Sequence, residues 1–130
     1  MLALDTNTLI YFFKGMGHVA ERLLSTAPSE IALPTVVLYE LEVGLAKSRS
    51  PNRRRAQLDD MLRIVRLLPF DRSAADASAR IRAKLEDSGT PIGPLDTLIA
   101  GTVVAAGATL VSHNLKEFRR VPGLRVVDWF

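Results

Sequence analysis

Three carboxylates attached to apolar segments are the residues best suited to chemistry in this sequence. Asp5 follows the apolar run 2–4, and Asp96 is the only charge on an otherwise apolar helical segment. Glu40 lies near the apolar side of a predicted helix, whereas Glu42, two positions on, faces nearly the opposite way. Each acid alone has a structural explanation, as a helix cap, a first-turn acid or a side chain reaching solvent. Together in one small domain they indicate an acidic site.

Carboxylates gathered in one pocket repel one another and raise one another's pKa unless a cation holds them. No lysine or arginine adjoins these acids in the sequence, cysteine is absent, and His18 and His113 are not spaced as a ligand pair. Oxygen ligands alone favour Mg²⁺ or Mn²⁺ over zinc. Since such an ion beside a phosphodiester can activate water and stabilise phosphate charge, the acids predict hydrolytic nuclease chemistry.

A second polar strand end is predicted beside Asp5. The fourth apolar run ends in Ser112-His113-Asn114, and in a doubly wound sheet this run would neighbour the first. The alternative is an ordinary strand-to-loop transition, in which Ser and Asn are common. The pattern predicts that these polar groups lie beside Asp5.

A run of arginines in the middle of the chain is a candidate nucleic-acid contact. It lies at a loop and a helix start, where the helix dipole disfavours cations, so it does not serve the helix. The run could bind an RNA backbone. Equally, it could be a solvated face that pairs with Asp59 and Asp60, one turn on. Its members are Arg49, Arg53, Arg54 and Arg55.

Short apolar runs alternate with longer amphipathic segments, which predicts an α/β domain on a parallel sheet. The predicted strands are Leu2 to Asp5, Glu30 to Leu33, Val65 to Phe70, Thr109 to Ser112 and Leu124 to Val127. The predicted helices are Thr8 to Lys14, Val19 to Ser25, Thr35 to Lys47, Arg54 to Arg66, Ala74 to Asp87 and Leu95 to Ala106. Ser73 to Asp76 has the spacing of a capping box, and Pro94 and Gly107 suit the two ends of the last long helix.

Length and composition restrict the remaining possibilities. The 130 residues, 48% of them hydrophobic, suit a single domain over residues 1–130. The absence of cysteine excludes a disulfide scaffold, and the hydrophobic content excludes intrinsic disorder. A net charge of +3 permits a phosphate-bearing partner. The N-terminus does not resemble a secretory leader, and polar residues interrupt the segment 97–115, so a cytoplasmic protein without a membrane span is expected.

Taken in order, the motifs of this chain resemble those of PIN-domain ribonucleases, and more narrowly those of the VapC toxins of toxin–antitoxin pairs. The resemblance runs nearly end to end. It is carried by Leu4-Asp5-Thr6-Asn7, Tyr39-Glu40-Leu41 with Gly44, Ile92 to Ala100, Leu110 to Asn114 with Phe118, and Val121 to Trp129.

The resemblance implies a three-layer α/β/α fold with a central parallel sheet of four or five strands. It implies that Asp5, Glu40 and Asp96 bind Mg²⁺ or Mn²⁺, and that Thr6 and Asn7 support the site. Asn114 stands where many members carry a fourth acid, and with Ser112 it would position the attacking water.

The resemblance also implies partners and a substrate. These are a homodimer, a cognate VapB-type antitoxin that covers the site and forms a larger assembly, and operator DNA bound only through that antitoxin. Structured RNA, with tRNA foremost, would be cleaved to a 5′-phosphate and a 3′-hydroxyl. The closing motifs most resemble the branch that cleaves initiator tRNA.

Two alternatives to a nuclease fit the sequence less well. A phosphoacceptor receiver domain would require an acidic pair after the first strand and a lysine after the last, but Asp5 is followed by Thr6-Asn7 and no lysine follows the fifth strand. A PIN fold kept only as a binding scaffold would be favoured by loss of the acids, and all three are present.

Overall fold

A single parallel sheet organises the chain. The computed structural model describes all residues from 1 to 130. Its five strands lie side by side in the order β3-β2-β1-β4-β5, every neighbouring pair parallel, which confirms the predicted α/β/α fold. The strands are β1 (Leu2–Leu4), β2 (Ile31–Pro34), β3 (Arg66–Leu68), β4 (Thr109–Val111) and β5 (Arg125–Val127).

Seven helices connect and cover the strands. They are α1 (Thr6–Lys14), α2 (Val19–Leu24), α3 (Thr35–Lys47), α4 (Asn52–Ile64), α5 (Arg72–Asp87), α6 (Pro94–Ala105) and α7 (Leu115–Phe118). A 3-10 turn at Pro28–Glu30 precedes β2. None of these helices combines the length and apolar character needed to cross a membrane.

The central strands are apolar because both of their faces are covered. All four residues of β2 are buried, and so are Ala3 and Leu4 of β1 and Leu110 and Val111 of β4. Strands buried on both faces read as continuous apolar runs. The polar residues that follow these runs therefore mark the carboxyl edge of the sheet, which is where α/β proteins place their functional groups.

Helix α6 packs closely against α5, and this contact fixes the helix that carries Asp96. Gly101 makes the approach possible, since a Cβ there would lie 1.9 Å from the Ser78 hydroxyl and 2.7 Å from the Ser78 backbone. Such a contact would push the two helices apart. Asp96 is therefore carried by a helix whose position against α5 is fixed.

At three helix starts the predicted boundary is two residues late: α1 begins at Thr6 rather than Thr8, α4 at Asn52 rather than Arg54, and α5 at Arg72 rather than Ala74. Helix α1 begins at Thr6 because Asp5 is its N-cap, and α5 begins at Arg72 because Asp71 is its N-cap. The capping box predicted from Ser73 was therefore wrong, since Ala74 donates its N–H to Asp71 Oδ1 at 3.0 Å. The short helix α7 was not predicted at all, because four residues carry no periodicity.

Candidate active site

Asp5 lies at the carboxyl end of β1 and both of its carboxylate oxygens accept hydrogen bonds. The Thr8 backbone N–H donates to Oδ1 at 2.9 Å, which caps α1, and the Ser112 hydroxyl donates to Oδ2 at 2.6 Å. Ser112 follows β4, the neighbour of β1 in the sheet. The predicted proximity of these two strand ends is thus observed, and the side chain of Asp5 is held in one orientation.

Glu40 and Glu42 have different surroundings although only one residue separates them. The Thr6 hydroxyl donates to Glu40 Oε1 at 2.8 Å, which links α3 to the residue directly after Asp5. Glu42 instead accepts two hydrogen bonds of 2.7 Å from the Arg55 guanidinium. The Arg55 side chain holds the pKa of Glu42 below its usual range. Glu40 has no such cation.

Asp96 has the most perturbed carboxyl group of the chain. It lies in the first turn of α6 and is partly buried. Desolvation, a hydrogen bond with the Glu117 carboxyl, and the negative charges of Glu117, Glu40 and Asp5 raise its pKa to about 7. The last three contributions show that these acids lie close enough to repel one another.

Glu117 is the functional candidate that the sequence analysis missed. It lies on α7, and its Oε2 accepts a hydrogen bond of 3.1 Å from Asn114 Nδ2. We call Asp5, Glu40, Asp96 and Glu117 the acid cluster. A signal was present in the sequence, because Asn114 and Glu117 have the spacing of an N-cap and its third-position acid.

Of the other expected site residues, Asn114 and Thr6 form hydrogen bonds within the site, whereas Asn7 does not. Asn114 contacts Ser112, since its backbone N–H donates to the Ser112 hydroxyl at 3.0 Å, and it also contacts Glu117 through its amide. Thr6 contacts Glu40. Asn7 is exposed, and its side chain forms no hydrogen bond with the protein.

The four arginines do not behave as one surface. Arg55 lies between Glu42 and Asp59, whose carboxylate is 3.6 Å away. Arg54 covers the ring of Phe13 at 4.7 Å. Arg49 is exposed, whereas Arg53 lines a cavity of about 510 Å³ that also contains Glu40. Of these four arginines, only Arg53 and Arg54 line the cavity that contains Glu40.

No cation forms a salt bridge with the acid cluster inside the protein. Of the 14 Asp and Glu residues, eight form salt bridges, and none of these belongs to the cluster. No three of the cluster's carboxylates surround a common point closely enough to ligate an ion as they stand. Their chemistry still fits a hard divalent cation, since the four acids offer only oxygen donors, form no salt bridge, and the charges of the other three help to raise the pKa of Asp96.

A parallel sheet with carboxylates collected at its carboxyl edge is the arrangement of a PIN domain, and the PIN-domain family model matches residues 2–124. The chain is 40% identical over 128 residues to a tRNA(fMet)-specific endonuclease VapC from Salmonella typhimurium, covering 97% of this chain and 96% of the relative. It belongs, within the PIN-domain family, to the VapC ribonucleases. Members of this family are generally metal-dependent.

Solved structures agree with this assignment. A DNA-bound VapBC from Salmonella typhimurium superposes with a TM-score of 0.92 at 37% identity, covering 99% of this chain and 98% of the other. VapBC2 from Rickettsia felis, bound to a DNA fragment from its promoter, gives a TM-score of 0.91 at 33% identity with the same coverage. The similarity supports the nuclease interpretation over the receiver and scaffold alternatives.

Proposed function

We propose that this chain is the toxin of a VapBC-type pair and cleaves structured RNA, foremost the initiator tRNA, by metal-dependent hydrolysis. The observation that carries the proposal is the acid cluster, in which Asp5, Glu40 and Glu117 lie close enough to Asp96 for their charges to raise its pKa, while none of the four forms a salt bridge. The relative at 40% identity, which is named for tRNA(fMet), supports the choice of substrate.

Asp5, Glu40 and Asp96 would hold Mg²⁺ or Mn²⁺, and Glu117 would complete the oxygen donors beside Asp96. When bound, such an ion lowers the pKa of a water molecule and neutralises charge on the phosphate. Ser112 keeps Asp5 in place through its 2.6 Å hydrogen bond, and Thr6 does the same for Glu40 at 2.8 Å. These two hydroxyls are positioning groups rather than reacting ones.

The reaction that this arrangement suits is attack of water on phosphorus in line with the departing 3′ oxygen. The proton of the water passes to a carboxylate oxygen of the acid cluster, and the departing oxygen is protonated to a 3′-hydroxyl. The other product carries the 5′-phosphate. Asn114 lies beside Ser112 and Glu117, from where its amide would orient the water or the phosphate.

The RNA backbone would approach the cluster from the side of α4. Arg53 and Arg54 line the same cavity as Glu40 and would meet phosphates there, and exposed Arg49 would contact the strand farther out. Arg55 contributes less, because Glu42 and Asp59 already compensate its charge.

A VapB-type antitoxin is the proposed inhibitor of this site, with toxin homodimers assembled in the complex. The two solved neighbours are toxin–antitoxin complexes bound to DNA, one of them to a fragment of its own promoter. Operator DNA would therefore be contacted by the antitoxin, while this chain supplies the nuclease.

The test uses the purified chain without antitoxin and an in vitro transcript of initiator tRNA, with an elongator tRNA for comparison. We expect cleavage with Mg²⁺ or Mn²⁺, none with EDTA, and 5′-phosphate ends at one position. Asp5→Ala should abolish cleavage. Asp87→Ala is the matched control, since Asp87 is an exposed acid without a salt bridge. Equal loss in both variants, or cleavage that persists in EDTA, would contradict the proposal.

A further inference from the structure

Three aromatic rings meet at the carboxyl edge of the sheet, and one of them, His113, lies in the chain between Ser112 and Asn114, which contact the acid cluster. The three rings come from α1, from the loop after β4 and from the residues after β5. The rings of His113 and Phe130 are stacked, with centroids 4.3 Å apart and an angle of 24° between their planes. Tyr11 meets both edge-on, at 6.1 and 4.9 Å.

His113 is fixed to the site through its neighbours in the chain. On one side Ser112 donates its hydroxyl to Asp5, and on the other Asn114 donates its amide to Glu117. The His113 ring itself is oriented by Asp128, whose Oδ2 lies 2.9 Å from its Nδ1. The ring therefore has a defined orientation, and both of its neighbours in the sequence contact the acid cluster.

Phe130 is held just as firmly. Its backbone N–H donates to Asp128 Oδ1 at 2.8 Å, and its carbonyl accepts the N–H of His18 at 3.0 Å. Gly17 makes room for it, since a Cβ there would lie 2.7 Å from the Phe130 carbonyl oxygen. Asp128 thus sets the positions of both stacked rings.

The two rings remain open to solvent although they are so well fixed. The side chain of His113 is 47% exposed, and Phe130 is 39% exposed. A cluster that served only to anchor the chain would gain more by burying its rings. Rigid, exposed aromatic faces are what proteins offer to unpaired bases, because a base stacks on them without being read by hydrogen bonds.

We infer that the His113–Phe130 stack binds an unpaired nucleobase of the RNA next to the scissile phosphodiester. The inference rests on the proposed ribonuclease function and adds a positioning site to it. Since stacking is tolerant of base identity, the site favours a single-stranded or loop nucleotide over a paired one, whatever its sequence. It would hold the strand so that the neighbouring phosphate lies at the acid cluster.

Phe130→Leu tests the inference because it keeps an apolar side chain and removes the ring face. We expect its KM for a tRNA or hairpin-loop substrate to rise about tenfold with kcat within about twofold of the original. Phe130→Tyr, which keeps the ring, should restore the original KM. Phe70→Leu is the matched control, because Phe70 is also 39% exposed but lies beyond β3, at the opposite edge of the sheet.

A spectroscopic measurement separates stacking from a structural role. In an Asp5→Asn background, binding of RNA with 2-aminopurine in the loop should quench the fluorescence, and adding Phe130→Leu should remove the quenching while Phe70→Leu leaves it. If Phe130→Leu does not fold, His113→Leu carries the same expectation. Unchanged KM and unchanged quenching in the ring-deleting variant would overturn the inference. Absence of any RNA cleavage by the original chain would instead overturn the proposed function.

Discussion

Glu40 and Glu42 lie two positions apart on α3, but their electrostatic surroundings differ. The region around Glu42 has compensated charge, and the region around Glu40 has uncompensated charge. Glu42 is paired with Arg55, which also faces Asp59, so charge is compensated within the protein. Glu40 accepts a hydrogen bond from Thr6, forms no salt bridge, and is one of three acids whose negative charge raises the pKa of Asp96, so its charge is left uncompensated. An acid with its own arginine supports structure, whereas acids that repel one another without such a partner favour the binding of a cation.

The largest expected difference between the two regions is in catalysis. Glu40→Gln keeps the shape of the side chain but removes a charge from the acid cluster, and it should lower kcat/KM for RNA cleavage by at least about a hundredfold. Glu42→Gln, the same change two residues away, should leave kcat/KM within about threefold. Single-turnover cleavage of initiator tRNA measures both. Similar losses in the two variants would remove the distinction between the regions.

The affinity of the acid cluster for a cation should depend on pH. The pKa of Asp96 is about 7, so below pH 7 a cation must displace a proton from the cluster. We expect affinity for Mn²⁺ to fall by up to about tenfold per pH unit below 7. Glu117→Gln removes a repelling charge, which should lower the pKa of Asp96 and move this fall to lower pH. Titrations at pH 5.5, 6.5 and 7.5 would show it, and identical profiles would contradict it.

The two regions should also differ in their effect on stability. Because the pKa of Asp96 is raised in the folded chain, folding favours its protonated form. In the metal-free protein this contribution is present at about pH 4 and is lost as pH rises to about 7. Asp96→Asn should therefore stabilise the metal-free protein at pH 8 by roughly 1 kcal/mol, allowing for solvent screening, which raises Tm by a few degrees.

The smallest effect is expected for the compensated region. Glu42→Gln should lower Tm by no more than a degree or two, because an ion pair of exposed side chains contributes little. Thermal melts of Asp96→Asn and Glu42→Gln at pH 5 and pH 8 test both expectations. A large drop in the Tm of Glu42→Gln, or a lower Tm of Asp96→Asn at pH 8, would contradict the conclusion that unfavourable electrostatics are concentrated in the acid cluster.

The sequence predicted the sheet and its polar edge because that information is local. Asp5 directly follows the apolar run of β1, and Ser112 directly follows that of β4. Their proximity therefore follows from the parallel pairing of these two strands. Pro94 marked the start of α6 for the same reason, since its missing N–H is tolerated in a first helical turn.

What the sequence did not predict depends on side chains that meet across the fold. Glu117 lies on a helix of only four residues, and its contact with Asp96 depends on how the loop after β4 returns to α6. Arg55 looked equivalent to Arg53 and Arg54 in the sequence, yet it reaches back to Glu42 on the preceding helix. A run of charged residues in the sequence does not indicate which of them forms an ion pair with a residue elsewhere in the chain.

Calorimetric titration of the antitoxin-free protein with Mn²⁺ at pH 7.5 tests directly whether the acid cluster binds a divalent cation. We expect saturable binding that is lost in Glu40→Gln and kept in Glu42→Gln. No binding to the original protein, or equal binding by both variants, would contradict it.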